Sequence, residues 1–402
     1  MKSLLLLLTV FLLTTKGFGQ WVTMNGPNGA QMKCIMSVPG KVYVGTANNK
    51  FNYTTDDGLT WINSGAGLID NGVYAMTQFG NSIVIGTNSG IFYNDANISS
   101  AWTPTNNGLT NFSISTFTVI GTKLLAGTYG GGVFISNGPA TDWVQSNLGL
   151  ANQTVIGLLT KGTDVYAGTY GGGVFKSTNQ GNSWTAVNNG LINQYVPSFA
   201  YLGNTIFCGT YGAGVFRSTD NGASWEQVNN GLTNTTINGL VATGNKLVAA
   251  TQSGVFATFN NGSAWVQFNT GLSNQFITAI ALGSTKFYAG TDFAGGWKRN
   301  ITEIVSVENN ITSVEKTFEL KQNYPNPFNP STTINYTLSK DSYIKLSLYD
   351  VSGKLLKILN EGNYKSGYYS LNVNMENYGT GIYFYSLETS EGVQTHKMIL
   401  TK

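Results

Sequence analysis

Charged residues are scarce in this 402-residue chain, in which Asp, Glu, Lys and Arg together make up 10% of the sequence. The formal net charge is +3, and without Lys2 and Lys16 near the start it falls to about +1, with 20 basic against 19 acidic residues. Binding of nucleic acid needs clustered Lys and Arg, and the chain has no basic run. We therefore expect no nucleic acid partner.

Histidine and cysteine are rarer still, with one His and two Cys in the whole chain. His396 lies close to the C-terminus, and Cys34 and Cys208 stand far apart, so we expect two free thiols rather than a disulfide. A metal centre needs a cluster of His, Cys or carboxylate side chains, and a Ser/His/Asp or Cys/His set needs a suitably placed His. The sequence accordingly predicts no metal and no cofactor.

Long apolar runs are missing apart from one at the start. Residues 1–19 combine a positive Lys2, an apolar stretch from Leu4 to Leu13 and the small-residue site Gly17-Phe18-Gly19, which is typical of a cleaved secretory signal peptide. The apolar stretch of about ten residues is too short to span a bilayer. We expect an exported protein without a transmembrane segment.

Glycine, by contrast, is abundant at 50 residues, and part of it recurs at a fixed interval. The dipeptide Gly-Thr, replaced once by Ala250-Thr251, returns every 40 or 41 residues, and tryptophan returns at the same interval. The dipeptides begin at positions 45, 86, 127, 168, 209, 250 and 290, and the tryptophans are Trp21, Trp61, Trp102, Trp143, Trp184, Trp225 and Trp265. Two residue types in one register indicate a structural unit copied seven times.

Each copy contains four short strand-like runs separated by Gly and Asn, a pattern typical of a β-propeller blade. The last copy lacks its fourth strand, and the segment that begins at Trp21 supplies one. We therefore predict an all-β chain in which residues 20–300 form a seven-bladed β-propeller closed by the N-terminal strand. A linker at 301–319 and a second domain at 320–402 follow.

A motif precedes several of the tryptophans. Residues 54–61 (TTDDGLTW) and 218–225 (STDNGASW) read Ser/Thr-x-Asp-x-Gly-x-Ser/Thr-Trp, and 177–184 and 258–265 are near matches. The carboxylate can accept backbone N–H bonds, Gly can take positive φ, and Trp can pack between blades. The motif resembles the Asp-box (BNR) repeat of sialidases and sortilin-type receptors. The resemblance implies a structural role for Asp56, Gly58, Trp61, Asp220, Gly222 and Trp225.

Sialidase activity does not fit the rest of the propeller, because a sialidase grips its substrate carboxylate with an arginine cluster. Residues 20–300 contain two arginines, Arg217 and Arg299, and one glutamate, Glu226. A different glycoside hydrolase could use two carboxylates. Only Asp70 and Asp292 are expected on the face formed by the loops between second and third strands and by the blade crossings. This pair is the alternative to a non-enzymatic propeller.

Aromatic residues are repeated on that same face. Tyr129, Tyr170 and Tyr211 occupy one loop position in three consecutive blades, and Tyr195 and Phe276 occupy one crossing position. Aromatic rings among Asn, Gln and Gly can stack on sugars or hold a peptide. Duplication of neighbouring blades would also explain the tyrosines. We expect a non-enzymatic protein that binds glycan or protein through these five residues.

The last 83 residues have a separate character. Residues 323–330 (NYPNPFNP) forbid helix, and alternating strand-like runs follow, which predicts a small Ig-like β-sandwich. The segment resembles the type A C-terminal sorting domain of the type IX secretion system, through that motif, the Gly381-Ile382-Tyr383 stretch and the terminal KMILTK. The resemblance implies that residues 320–402 engage the type IX machinery and that the protein is secreted or held at the outer-membrane surface. Its signal residues would be Pro325, Pro327, Gly353, Gly381, Lys397, Leu400 and Lys402.

Overall fold

The computed structural model describes residues 19–27, 29–70, 72–139, 141–302, 318–390 and 392–402. The predicted signal peptide, apart from residue 19, and most of the predicted linker lie outside these residues. The described chain forms two compact units, which lie before and after residues 303–317. Its regular structure is entirely β-strand, and none of the described residues forms a helix long and apolar enough to cross a membrane.

The first unit is a ring of seven four-stranded antiparallel sheets, which are the blades of a propeller. Blades 1 to 6 follow one another along the chain, and each takes its strands in order. Their strands are β2 (Met32–Val38), β3 (Lys41–Thr46), β4 (Phe51–Thr54), β5 (Ile62–Asn63), β6 (Ala75–Phe79), β7 (Ser82–Thr87), β8 (Gly90–Asp95), β9 (Thr103–Pro104), β10 (Ile114–Ile120), β11 (Lys123–Thr128), β12 (Gly132–Ser136), β13 (Val144–Gln145), β14 (Val155–Lys161), β15 (Asp164–Thr169), β16 (Val174–Ser177), β17 (Thr185–Ala186), β18 (Ser198–Leu202), β19 (Thr205–Thr210), β20 (Gly214–Ser218), β21 (Glu226–Gln227), β22 (Ile237–Thr243), β23 (Lys246–Thr251), β24 (Gly254–Thr258) and β25 (Val266–Gln267).

Blade 7 joins the two ends of the ring. Its inner strands are β26 (Ile277–Leu282), β27 (Lys286–Thr291) and β28 (Gly296–Asn300), and its outer strand is β1 (Val22–Thr23). Val22 pairs with Lys298 and Thr23 pairs with Trp297, where the sequence predicted the ring to close. The first strands of all seven blades line a central cavity of about 350 Å³.

The Gly-Thr repeat has two physical causes. At Gly168, for example, a Cβ atom would lie 2.2 Å from the carbonyl oxygen of Val196 in the next crossing, so no side chain fits. The threonine beside it closes the turn that follows, because Thr169 Oγ1 donates to the Gly173 carbonyl and accepts from the Gly172 amide, at 2.9 and 3.0 Å. Threonine at this position is fully buried in every blade.

The tryptophan repeat joins neighbouring blades. The indole Nε1 of Trp184 donates to the Ser146 carbonyl at 2.9 Å, which links blade 4 to blade 3. Trp21, Trp102, Trp143, Trp225 and Trp265 donate to the preceding blade in the same way. Trp61 is different, since its Nε1 is buried and has no hydrogen-bond partner among the described residues. The junction of blades 7 and 1 therefore lacks the link that the other six share.

The second unit is a β-sandwich of a three-stranded and a four-stranded sheet, in the orders β29-β30-β33 and β32-β31-β34-β35. Strands β30 and β31 alternate buried and more exposed residues, so Ile334, Tyr336, Ile344 and Leu346 point into one shared core. The strands are β29 (Phe318–Leu320), β30 (Ser331–Leu338), β31 (Ser342–Tyr349), β32 (Leu355–Tyr364), β33 (Gly367–Asn374), β34 (Gly381–Thr389) and β35 (Gly392–Leu400). The predicted fold class, a propeller followed by a small sandwich, is confirmed.

Candidate functional site

Four of the predicted aromatic residues lie in direct contact. The ring centroids of Tyr129 and Tyr170 are 6.0 Å apart, those of Tyr170 and Tyr195 are 4.1 Å apart, and those of Tyr195 and Tyr211 are 5.0 Å apart. We call this set the tyrosine arc. It runs across blades 3, 4 and 5, on the loops that follow β11, β15 and β19 and on the crossing after β17.

Backbone hydrogen bonds fix the arc in place. Tyr170 and Tyr195 form an isolated antiparallel β-bridge, and Tyr129 and Tyr211 form equivalent bridges to the next crossings. In the crossing, Asn193 accepts the Tyr195 amide through Oδ1 at 2.9 Å and donates through Nδ2 to the Tyr211 carbonyl at 3.3 Å. The rings therefore project from ordered turns, which favours a preformed surface.

The arc is open to solvent. Tyr129, Tyr170 and Tyr211 are 51%, 47% and 46% exposed, while Tyr195 is half-buried between its neighbours. Burial, followed by the nearby hydroxyls of the other three tyrosines, raises the pKa of Tyr195 to about 12. At neutral pH Tyr195 is therefore an uncharged phenol within the arc. The next blade extends the arc, because Gln252 Nε2 donates to Tyr211 Oη at 2.6 Å.

Phe276 stands apart from these four residues. It lies in the crossing between β25 and β26 and is 40% exposed. Its amide is bonded to Asn274 Oδ1 at 2.8 Å, as the Tyr195 amide is to Asn193. In the described part of the chain, its ring makes no contact with a tyrosine of the arc. The geometry brings together four of the five predicted ligand residues and leaves the fifth separate.

The alternative carboxylate pair has a mainly structural setting. Asp70 Oδ1 accepts the Gly72 amide and Asp70 Oδ2 accepts the Asn88 amide, both at 3.0 Å. Asn193 makes the first of these two bonds in its own crossing, where its Oδ1 accepts the Tyr195 amide. Asp292 forms a backbone bridge with Gln31, and its Oδ1 is buried without a hydrogen-bond partner among the described residues.

The Asp-box residues act within their own turns. Asp56 Oδ1 accepts from Thr54 Oγ1 at 2.7 Å and from the Thr60 amide at 2.9 Å, and Oδ2 accepts from Thr60 Oγ1 at 2.5 Å. The Thr60 hydroxyl and amide, followed by the Thr54 hydroxyl, lower the pKa of Asp56 to about 2. Asp220 is held in the same way by Ser218 and Ser224, and its pKa is also lowered to about 2. Gly58 and Gly222 have φ of 84° and 91°. Trp225 makes the inter-blade bond described above and Trp61 does not.

The sequence motif did not identify one further carboxylate of this kind, that of Asp95. Residues 94–102 keep little of the motif, but Asp95 accepts the Asn97 and Ser99 amides at 2.8 and 3.3 Å and also bonds the Ser99 hydroxyl. Its pKa is lowered, mainly by Ser99. The signal was present, because Asp95 and Ser99 have the same spacing of four as Asp56 and Thr60. The loop at 94–102 is one residue longer than the loop at 54–61, so the full motif does not match there.

The two arginines and the two cysteines of the propeller do not belong to the tyrosine arc. Arg217 pairs with Glu226 at 2.9 Å and donates to the Asn261 carbonyl in the next blade. Arg299 is buried, with its guanidinium over the Phe268 ring. Cys34 and Cys208 are free thiols, and burial raises the pKa of both. The described residues contain no group of three His, Cys, Asp or Glu side chains that could hold a metal ion.

In the second unit the proline motif and the chain terminus form one structure. Asn326 Oδ1 accepts the Ile399 amide at 2.8 Å, and the Phe328 backbone bonds to both Ile399 and Thr401. Phe328 and Leu400 are buried in the core. Pro325 and Pro327 follow cis peptide bonds, Gly353 has φ of 82°, and Gly381 pairs with Leu400.

Five of the seven predicted signal residues are exposed, namely Pro325, Pro327, Gly353, Lys397 and Lys402. Lys402 Nζ donates to the Glu376 carbonyl at 2.8 Å. Leu400 is buried in the core, and Gly381 is half-buried and pairs with it from the neighbouring strand. The two lysines are the charged members of this exposed set, so another protein could contact their side chains without unfolding the domain.

Residues 322–401 match the model of a known family, the secretion system C-terminal sorting domain. No curated protein matches the chain. This domain agrees with the resemblance found in the sequence and supports export by the type IX system. The match lies within the second unit, so the propeller is compared with solved structures instead.

Solved structures with the same architecture are distant in sequence. PorZ, a surface component of the type IX secretion system of Porphyromonas gingivalis, is 14% identical, with 95% of this chain and 61% of PorZ covered and a TM-score of 0.55. YCF48 bound to the D1 peptide is 14% identical, with 70% and 96% covered and a TM-score of 0.56. The GH74 enzyme of Niastella koreensis is 15% identical, with 68% and 43% covered and a TM-score of 0.52.

At such identities the likeness extends to the fold alone, and this chain spans less than two thirds of the PorZ and GH74 chains. These neighbours carry β-propellers in settings as different as secretion, peptide binding and an enzyme, so the fold does not choose among them. Residues 322–401 are a secretion system C-terminal sorting domain, and in this protein they follow a β-propeller.

Proposed function

We propose that this protein is exported by the type IX system and binds a glycan or a protein through the tyrosine arc, without catalysing a reaction. The observation that carries the proposal is the packing of four tyrosines into one exposed surface, with contacts of 4.1 to 6.0 Å between rings. Tyrosine supplies a large apolar face and a hydroxyl at little cost in side-chain entropy, which suits a recognition surface.

Export supports the same function. The sorting domain implies delivery to the cell surface or the medium, where extracellular glycans and proteins are the available ligands. The propeller presents the arc on loops that a rigid ring holds in place, and such loops commonly carry binding sites. The hydrolase alternative has weaker support, because both carboxylate oxygens of Asp70 already accept backbone amides.

The binding proposal can be tested with a matched pair of tyrosines in blade 5. Tyr211 belongs to the arc and Tyr201 lies on β18, and each is 46% exposed. We expect purified protein to bind at least one member of a panel of defined glycans and extracellular proteins. Binding should fall roughly tenfold in Tyr211→Ala and in Tyr170→Ala and stay unchanged in Tyr201→Ala. Binding that survives both arc substitutions would refute a role for the arc.

The same panel tests the absence of catalysis. Incubation with polysaccharides, followed by a reducing-end assay, should give no release of sugar. Release that disappears in Asp292→Asn, a substitution that removes the carboxylate and keeps its shape, would replace the binding proposal by the hydrolase.

A further inference from the structure

We infer that the ligand of the tyrosine arc is an uncharged oligosaccharide, an inference that rests on the binding function proposed above. Three features of the arc narrow the choice between glycan and protein. They are the spacing of its rings, the lack of charge around it and the free hydrogen-bonding groups at its edge.

The ring spacing disfavours a proline-rich peptide. Such peptides insert their prolines between aromatic ridges, and a ring held between two others needs about 3.5–4.0 Å on each side, hence about 7–8 Å between the flanking centroids. The arc's three spacings are 6.0, 4.1 and 5.0 Å, so its tyrosines fill the gaps between one another. A ligand has access to the outer ring faces and edges and not to slots between them.

The outer faces suit a sugar. Neighbouring rings of the arc are tilted by 66°, 59° and 37°, so they offer separate faces of about one pyranose each rather than one flat platform. The C–H bonds on one face of a pyranose carry partial positive charge and pack on the negative face of an aromatic ring. Rings at successive angles would hold successive residues of an oligosaccharide.

Charge complementarity points the same way. The loops that carry the arc and its surroundings, residues 129–132, 152–154, 170–173, 193–195, 211–214 and 234–236, contain no Asp, Glu, Lys or Arg. An acidic sugar or a charged peptide would lose water at this surface and gain no opposite charge in return. A neutral glycan has no such cost.

The polar groups at the arc match sugar hydroxyls. Because Gln252 already donates to Tyr211 Oη, the proton of that hydroxyl is free to bond to a ligand oxygen. The side-chain amides of Gln153 and Gln194, in the crossings beside Tyr129 and Tyr170, make no hydrogen bond to another described residue. An amide offers both donors and acceptors, and so does each hydroxyl of a sugar.

The test compares three sets of probes on the full protein by isothermal titration calorimetry. They are neutral oligosaccharides of glucose, mannose, galactose and xylose, acidic oligosaccharides such as oligogalacturonate, and proline-rich peptides. We expect binding to a neutral oligosaccharide, with roughly tenfold loss in Tyr170→Ala and no loss in Tyr201→Ala. Affinity should change little between low and high salt, because no charges are paired.

The outcomes separate the two proposals. If an acidic oligosaccharide or a peptide binds and Tyr170→Ala abolishes it, while neutral oligosaccharides do not bind, the ligand class is wrong and the arc remains a binding surface. If no probe, and no member of the wider panel above, depends on Tyr170 or Tyr211, both proposals fail. Tyr170→Phe adds a check, because it should weaken a neutral glycan less than Tyr170→Ala does.

Discussion

Asp57 in blade 1 and Lys286 in blade 7 form an ion pair across the junction where the propeller closes, with 2.5 Å between Oδ2 and Nζ. Lys298 also bonds the Asp57 carboxylate, at 3.0 Å, and Tyr288 donates its hydroxyl to Oδ1 at 3.0 Å. Burial opposes ionisation of Asp57, but these bonds outweigh it and lower the pKa of the carboxyl. The cluster lies at the junction of blades 7 and 1, where Trp61 makes no inter-blade hydrogen bond among the described residues. An ionic link thus replaces the indole link.

Replacing Asp57 by Asn should weaken the ring. Asn221 and Asn261 hold the same position in blades 5 and 6 with positive φ, so the backbone can remain as it is and only the charge is lost. Two half-buried lysines then lack their anion, which should lower the free energy of unfolding by about 1–3 kcal/mol. All eight tryptophans lie between Trp21 and Trp297, so urea unfolding followed by tryptophan fluorescence reports on the propeller alone.

The control for this experiment is Glu226→Gln. Glu226 pairs with Arg217 within blade 5, and its side chain is 67% exposed, so its loss should cost less than about 1 kcal/mol. Equal effects of the two substitutions would contradict a special role for the junction.

The two tryptophans at the start of the repeat offer a second comparison. Trp21 is 1% exposed and donates to the Phe268 carbonyl at 2.6 Å, whereas Trp61 is half-buried and its indole finds no acceptor in the described part of the chain. Trp21→Ala should cost about 3–5 kcal/mol, and Trp61→Ala should cost clearly less. Urea midpoints of the two variants decide the matter. A larger loss of stability in Trp61→Ala than in Trp21→Ala would show that the N-terminal strand adds little to the closure of the ring.

The repeat could be predicted because its signals are local. Thr169 bonds to residues three and four positions along, and the space that excludes a side chain at Gly168 recurs in every copy but one. The cluster at Asp57 could not be predicted in the same way. Its lysines lie 229 and 241 residues away and look in the sequence like ordinary solvated charges.

The sequence could predict where the tyrosines of the candidate site lie, but it could not predict which of their rings touch. Equal loop positions placed Tyr129, Tyr170 and Tyr211 on one face, but the 4.1 Å contact of Tyr170 with Tyr195 depends on how the crossing after blade 4 folds back. Phe276 has the same sequence position as Tyr195 and no tyrosine beside it, because the preceding loop carries Gln252 there. Position in a repeat fixes the direction of a side chain, and its neighbours depend on the adjoining blades.

Acid should weaken the Asp-box turns at Asp56 and Asp220. Both carboxyls have a pKa of about 2 in the folded protein, below the ordinary value of about 3.9. A carboxyl whose pKa is lowered in the folded protein stabilises the fold at pH values above its ordinary pKa. That stabilisation is lost as the pH falls from about 4 to about 2. The melting temperature followed by circular dichroism should therefore drop across this range. Asp56→Asn with Asp220→Asn should flatten the drop, since Asn179 and Asn260 make the same turn bonds. An unchanged slope in the double variant would contradict the assignment.

Export gives the last prediction, and the structure changes how it should be tested. Removing residues 397–402 should leave the protein in the periplasm of a bacterium with a type IX system. The deletion also removes Met398 and Leu400 from the sandwich core, so it cannot tell a lost signal from a lost fold. Lys397→Ala with Lys402→Ala takes away only exposed side chains and should reduce export while the domain stays folded.

Lys357→Ala is the matched control for the lysine pair, because Lys357 is an exposed lysine on β32 of the same four-stranded sheet. Immunoblots of periplasm and medium, with limited proteolysis to confirm the fold, measure the outcome. Export of the lysine variant at the control level would show that the signal does not lie in these side chains. A sandwich that lacks half of β35 cannot present the same surface. Normal export of the deletion variant as well would therefore show that β35 is not needed for sorting.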